Sequence, residues 1–80
     1  MASLHRFGRN LIRNTARIQK ASELTTSELA LATGVSRRTL GRMEKARKEG
    51  RSYNPMLKTV AKLASAAGIT IDQYLTQRVA

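Results

Sequence analysis

Several residue types that reinforce small folds are scarce or absent from this 80-residue sequence. There is no cysteine, so disulfides and thiolate zinc sites are excluded, and a reducing, cytoplasmic setting is the simplest expectation. The single histidine, His5, cannot supply a metal site alone. No apolar run approaches the roughly 20 residues that span a bilayer. We therefore expect one domain over residues 1–80 that needs no metal, cofactor or membrane.

Acidic residues are also scarce, because 15 lysines and arginines face only 5 aspartates and glutamates, for a net charge of +10. The basic residues are unevenly placed: residues 1–20 hold five with no acid, and residues 37–51 hold seven with two acids. This clustering favours a polyanionic partner, either nucleic acid or an acidic membrane surface. A merely solvated basic surface is the alternative, and the uneven distribution argues against it.

The apolar residues are mostly small and aliphatic, and their spacing is helical throughout. No segment alternates with the period of two that a strand requires, so we predict an all-α fold of five helices. The first helix, residues 4–21, is predicted to be amphipathic, with an apolar face on one side and a basic stripe nearly opposite. Gly8 weakens its start, so residues 1–9 form either a helix extension or a flexible basic arm. The basic stripe consists of Arg6, Arg9, Arg13, Arg17 and Lys20.

Capping signals mark the second and third helices. Thr25 and Glu28 have the spacing of a capping box, and Gly34 provides a left-handed stop about eight residues later. Ser36 then caps a third helix that continues to roughly Lys48.

Two further helices follow. Asn54 is the predicted cap of the fourth helix, with Pro55 in its first position, and Thr70 caps a short fifth helix. The apolar face of the fourth helix is predicted to consist of Leu57, Val60, Ala61, Ala64 and Ala67.

The second and third helices, with the glycine-containing turn between them, are the parts of a helix-turn-helix over residues 25–45. Ala30 lets the two helices approach closely, and Gly34 makes the tight turn. Val35 and Leu40 fill the angle between the helices. Each feature is weak alone, but their joint spacing is specific.

In these residues the chain resembles the lambda-repressor-like, Cro-type helix-turn-helix family, often called the XRE family. The resemblance extends over about residues 18–75. It implies a five-helix DNA-binding bundle in a bacterial cell, associated with the nucleoid, whose members mostly repress transcription as dimers on palindromic operators. The segments that carry it are 24–30, 33–36, 39–40, 43–44, 54–55, 59–60, 62–64, 67–70 and 74–75.

Helical spacing places Leu40 and Met43 on the core side of the third helix and a basic arc on the other side. By the resemblance, the base-reading positions are Arg37, Arg38, Gly41 and Arg42. An arginine fork can bond O6 and N7 of guanine together, and the missing side chain at Gly41 would let the helix approach the bases. The alternatives are a solvated charged face and a glycine that merely weakens the helix.

Phosphate contacts are expected from helix N-termini and from the basic residues beyond the recognition face. The candidates are Thr26, Ser36, Lys45, Arg47, Lys48 and Arg51. Ser36 has the alternative role of a simple cap, and Thr26 replaces the glutamine usual in the family.

Two further features depart from the family pattern. Glu44 matches a family glutamate that pairs with an arginine of the first helix, and Gln19 or Lys20 is its expected partner here. Residues 45–53 exceed the usual family connection, which implies either an extended third helix or a basic loop.

The expected function is that of a phage- or plasmid-type repressor that binds double-stranded DNA. An antitoxin of the same fold, which binds a protein toxin and autoregulates its operon, is the alternative. An interaction protein that binds no DNA would not need the three arginines. An enzyme is not expected, because the few potential catalytic residues are scattered and no phosphate-binding glycine loop occurs.

A homodimer is expected, with its contact on the fifth helix. Spacing assigns Ile71 and Leu75 to the core and leaves Tyr74 and Val79 partly free for the dimer interface. The alternative is that all four side chains close the core of the monomer.

Overall fold

The computed structural model describes residues 2–79, with the side chains of residues 7–79. Within residues 2–79 the chain forms five α-helices and no strand, which confirms the predicted all-α, five-helix fold. The helices are α1 (Ala2–Ser22), α2 (Thr26–Thr33), α3 (Arg37–Lys48), α4 (Leu57–Ala67) and α5 (Ile71–Thr76).

One apolar core is shared by all five helices. α1 packs against α3, α4 and α5, while α2 packs against α3 and α4, so the helix-turn-helix rests on α1 and α4. Small side chains such as Ala46 and Ala64 are fully part of this core, which allows close approach of the helices. The buried apolar residues are Leu11, Ile12, Leu29, Val35, Leu40, Met43, Ala46, Val60, Leu63, Ala64 and Tyr74.

Gly8 lies inside α1, and the segment before α4 crosses the helix at this residue. A Cβ at Gly8 would lie 2.8 Å from the carbonyl oxygen of Tyr53 and 3.2 Å from the Asn54 side-chain oxygen. Only glycine therefore permits this crossing. Residues 2–9 are helical, while Met1 and the side chains of residues 2–6 lie outside the described residues.

The predicted start of α4 is wrong. α4 begins at Leu57 after Met56, which provides no side-chain cap, whereas Asn54 and Pro55 lie in the non-helical segment that packs on α1. The Asn54 side chain lies against Gly8 of α1, where the segment crosses that helix, and does not cap α4. Leu57, expected on the apolar face, is 71% exposed because it lies in the first turn, and Leu63 is buried instead.

The predicted free position of Tyr74 on α5 is also wrong. Tyr74 is 0% exposed, and its ring belongs to the core. Its hydroxyl is hydrogen-bonded to the Thr15 hydroxyl at 2.7 Å. Burial raises the pKa of Tyr74 to about 12. Val79 is half-buried, and its backbone N–H donates to the Asn14 side-chain oxygen at 3.1 Å. Tyr74 therefore presents no surface to a second copy.

Candidate nucleic-acid interface

The start of α2 is fixed by the predicted capping box. The Glu28 N–H donates to Thr25 Oγ1 at 3.2 Å, and the Thr25 N–H donates to Glu28 Oε1 at 2.8 Å. These bonds lower the pKa of Glu28. The hydrogen bond from the Thr25 backbone has the larger effect, and the one with the Thr25 side chain has the smaller effect. Thr26, the first helical residue of α2, is consequently held at an exposed helix N-terminus.

The turn between α2 and α3 has the predicted left-handed glycine. Gly34 has φ of 77°, and its N–H donates to the Ala30 carbonyl at 2.8 Å. Lys62 of α4 donates from Nζ to the Gly34 carbonyl at 3.3 Å, which joins the turn to the rest of the bundle. Val35 and Leu40 are both buried, so apolar packing sets the angle between the two helices.

α3 separates an apolar face from a basic face. Leu40, Met43 and Ala46 are buried, which fixes the rotation of the helix about its axis. The structure brings the predicted base-reading residues together on the opposite, exposed face: Arg37, Arg38, Gly41 and Arg42. Nothing lies within 4 Å of the position that a Cβ at Gly41 would take. The middle of this face is therefore open to a flat or convex partner.

The three arginines of this face differ in their bonding. Arg37 Nη1 donates to the Ser27 hydroxyl at 3.3 Å, so its guanidinium is turned toward α2. Within the part of the chain that the structure describes, Arg38 and Arg42 make no side-chain hydrogen bond or ion pair. Ser27 was not among the predicted site residues, and a contact across ten positions has no signal in the sequence.

The predicted phosphate-contacting residues lie at the N-termini of α2 and α3 and at the end of α3 with the residues after it. Ser36 Oγ accepts the Thr39 N–H at 3.2 Å, so the capping role of Ser36 is present. Lys45 and Lys48 are exposed on α3. Arg47 forms an ion pair with Glu44, and Arg51 bonds Glu49 from Nε at 2.7 Å.

The expected partner of Glu44 is different from the one observed. Gln19 donates instead to the Leu24 carbonyl at 3.1 Å, and Glu44 accepts two hydrogen bonds from Arg47 on its own helix. The Arg47 hydrogen bond lowers the pKa of Glu44 and raises that of Arg47. A pair one turn apart is within easy reach on a helix, which explains why it forms.

The long connection after α3 combines the two predicted possibilities. α3 continues to Lys48, and Gly50 with φ of 70° then reverses the chain. The Arg51 N–H donates back to the Ala46 carbonyl at 2.8 Å, which closes a Schellman motif. Arg51 thus returns beside the end of α3.

Among the side chains of residues 7–79, no cluster of three or more His, Cys, Asp or Glu could hold a metal ion. No helix within residues 2–79 has the length and apolar character required to cross a membrane.

The arrangement of α2, turn and α3 is that of a helix-turn-helix DNA-binding domain. A family model described as helix-turn-helix matches residues 16–74, well over half of the chain. The chain belongs to the lambda-repressor-like, Cro-type helix-turn-helix family and is a DNA-binding transcriptional regulator. The searches of curated proteins and of solved structures gave no match.

Proposed function

We propose that this protein is a repressor of the phage or plasmid type that binds a palindromic operator in double-stranded DNA as a homodimer. The observation that supports it best is the exposed face of α3. Arg38 and Arg42 project beside the open position of Gly41, while buried Leu40 and Met43 hold the helix in place. A rigid helix with arginines on its free face suits the major groove, which admits one α-helix.

Each residue of this surface has a proposed role. Arg38 and Arg42 bond guanine O6 and N7, and Gly41 lets the α3 backbone approach the base edges. Arg37 joins them once the groove displaces its bond to Ser27, or bonds a phosphate at the helix start. Phosphates are contacted by Thr26, Ser36, Lys45, Arg47, Lys48 and Arg51.

A homodimer would double the length of the site that α3 contacts, with half-sites about 34 Å apart. Tyr74 is buried and cannot form the contact, while Val79, the other residue of the expected pair, is half-buried. We place it at Met56 and Leu57, which are adjacent in the chain and 65% and 71% exposed. Two side chains bury little area, so we expect weak association in solution that operator binding strengthens.

The dimer contact is tested by changing Met56 and Leu57 together to aspartate. Aspartate is favourable at a helix N-terminus, so α4 should remain folded. Cooperative binding to two half-sites should become weak binding to one half-site. Unchanged dimeric binding would place the contact elsewhere.

The proposed function is tested by selecting bound sequences from random duplex DNA at near-physiological salt. We expect a two-fold symmetric consensus. On the selected duplex, affinity should fall by roughly 10³–10⁵ between 50 and 200 mM salt if a dimer neutralises about 6–10 phosphates. A selection without any enriched sequence would contradict the function.

A second candidate function is an antitoxin of the same fold, and exposed Leu31 is the feature that favours it. Leu31 is 87% exposed on α2 and lines a groove with Ser36 and Arg37. A protein toxin that covers this groove would also compete with DNA. The test is co-purification with the product of a neighbouring gene, and loss of that complex in Leu31→Asp.

A further inference from the structure

We propose that four arginines where α1 meets the end of α3 bind the sugar-phosphate backbone of DNA outside the half-site that α3 contacts. This inference rests on the proposed DNA-binding function and extends it. Arg9, Arg13, Arg47 and Arg51, here called the arginine cluster, line one concavity together with Ile12 and Gly50.

Three structural features bring the cluster together. Arg9 and Arg13 are four residues apart and therefore share one face of α1. α1 packs directly against α3, which brings Arg47 beside them. The left-handed Gly50 and the bond from the Arg51 N–H to the Ala46 carbonyl return Arg51 to the same place. The cluster is thus held at a fixed position relative to the recognition face.

The charge of the cluster is only half compensated. Arg47 is paired with Glu44, and Arg51 with Glu49. Among the residues that the structure describes, no carboxylate pairs with Arg9 or Arg13. Four guanidinium groups around one concavity repel one another, and a phosphate relieves this repulsion through short charge-assisted hydrogen bonds.

The basic surface continues beyond the cluster, which favours an extended polyanion over a small anion. Arg13 and Arg47 also line a neighbouring groove, with Arg17 and Lys20 farther along α1. Its four basic side chains outnumber the two acidic ones, Glu23 and Glu44. From Arg9 to Lys20 the helix axis rises by roughly 16 Å. Duplex DNA carries one charge per roughly 1.7 Å of its axis, so a stripe of this length can face several phosphates.

The test compares wild type with R9Q/R13Q. Glutamine removes the charge, keeps most of the side-chain length and preserves helix propensity. The matched control is K58Q/R78Q, which removes two exposed charges outside the cluster. Equal melting temperatures by circular dichroism would establish that all three proteins are folded. Binding is measured by fluorescence anisotropy over a range of salt concentrations.

Two duplexes separate flanking contacts from contacts within the half-sites. One carries the selected operator with a helical turn of extra DNA at each end, and the other is trimmed to the operator. On the long duplex, R9Q/R13Q should lower the salt slope by about two per protomer, and affinity by at least about tenfold at 0.1 M salt. On the trimmed duplex the difference from wild type should disappear, and the selected consensus should not change.

Equal losses in R9Q/R13Q and K58Q/R78Q would overturn the proposal, because net charge alone would then explain them. A loss that persists on the trimmed duplex would place the contacts within the half-site and also overturn it. If R9Q/R13Q matched wild type while Arg42→Ala altered the consensus, the DNA-binding function would stand without the flanking site. If wild type showed no sequence preference, the proposed function would fail first.

Discussion

The helix-turn-helix and the α5 region are held by hydrogen bonds of very different range. In α2 and α3 the fixing bonds are local: Thr25 caps Glu28, and Ser36 caps Thr39. α5 begins with a local capping box of its own, between Thr70 and Gln73, but its end is held from α1, where the buried Asn14 side chain donates to the carbonyls of Tyr74 and Gln77, both at 2.7 Å.

Asn14 is the centre of the long-range closure. Its side-chain oxygen also accepts hydrogen bonds from Arg17 Nη1 at 2.9 Å and from the Val79 N–H at 3.1 Å. α5 has six residues, too few to persist alone, so it depends on these bonds and on the packing of Tyr74. The starts of α2 and α3 are therefore encoded by neighbours in sequence, while the bundle is closed by partners about 60 residues away.

The largest expected effect is that of Asn14→Leu. This change leaves the Tyr74 and Gln77 carbonyls without their partner inside the protein. Stability should fall by about 3 kcal/mol, since each unsatisfied buried group costs about 1–3 kcal/mol. The measurement is urea unfolding followed by circular dichroism.

Asn10→Leu is the graded control for this change. Asn10 makes one bond to the carbonyl of Leu75 at 2.9 Å and is only partly buried. Loss of this hydrogen bond should lower the free energy of unfolding by about 1 kcal/mol. If Asn10→Leu destabilised the protein as much as Asn14→Leu, the central role of Asn14 would be contradicted.

The next effect is the pH dependence that Tyr74 contributes. Its pKa of about 12 in the folded state lies above the value of 10.0 for an unperturbed tyrosine. Its stabilising contribution is therefore complete below pH 10 and is lost as the pH rises toward 12. Across this window wild type should lose about 2 kcal/mol more than Tyr74→Phe.

Tyr74→Phe itself reports the hydroxyl bond to Thr15. At neutral pH the variant should be about 1 kcal/mol less stable than wild type. In strongly alkaline solution the order should reverse, because phenylalanine cannot ionise in the unfolded chain. Urea unfolding of both proteins at several pH values checks this, and a constant difference between them would refute it.

A change in the local motif, Gly34→Ala, should destabilise the protein less than Asn14→Leu. The left-handed backbone at Gly34 should make alanine less stable by about 1–2 kcal/mol, although the nearest side-chain atom, Lys62 Cδ, is 3.8 Å from the added Cβ. Denaturant unfolding measures this cost. A neutral effect would show that the turn needs no left-handed residue.

Gly41→Ala should have the opposite sign and the smallest magnitude. Gly41 lies inside α3 with free space around it, so alanine should stabilise the protein by up to about 1 kcal/mol. The same Cβ enters the base-facing surface and should weaken operator binding. Thermal unfolding measures the change in stability, and fluorescence anisotropy measures the change in operator affinity. Increased stability with unchanged affinity would show that Gly41 does not lie in the interface.

The difference between local and long-range contacts also explains which features could be predicted from the sequence. The Thr25 cap, the Gly34 turn and the exposed arc of α3 depend on residues within a few positions, and all three are found as predicted. The roles assigned to the arginines of that arc remain predictions.

The features that were missed depend on distant contacts. In a helix as short as α5, Ile71, Tyr74 and Leu75 all fall on one side, so periodicity cannot choose which of them is central. Thr15 on α1 makes that choice by bonding the Tyr74 hydroxyl. Asn54 and Pro55 have the composition of a helix start, and only the crossing at Gly8 explains why the helix begins later.

Recognition of base pairs by the exposed face of α3 is tested by repeating the selection from random duplexes with Arg42→Ala, beside Lys48→Ala as the control for a phosphate contact. Arg42→Ala should cost about 1–3 kcal/mol on the operator and lose the preference at one base pair in each half-site. Lys48→Ala should keep the consensus and lower the salt slope by about one. An unchanged consensus for Arg42→Ala would contradict recognition by this face.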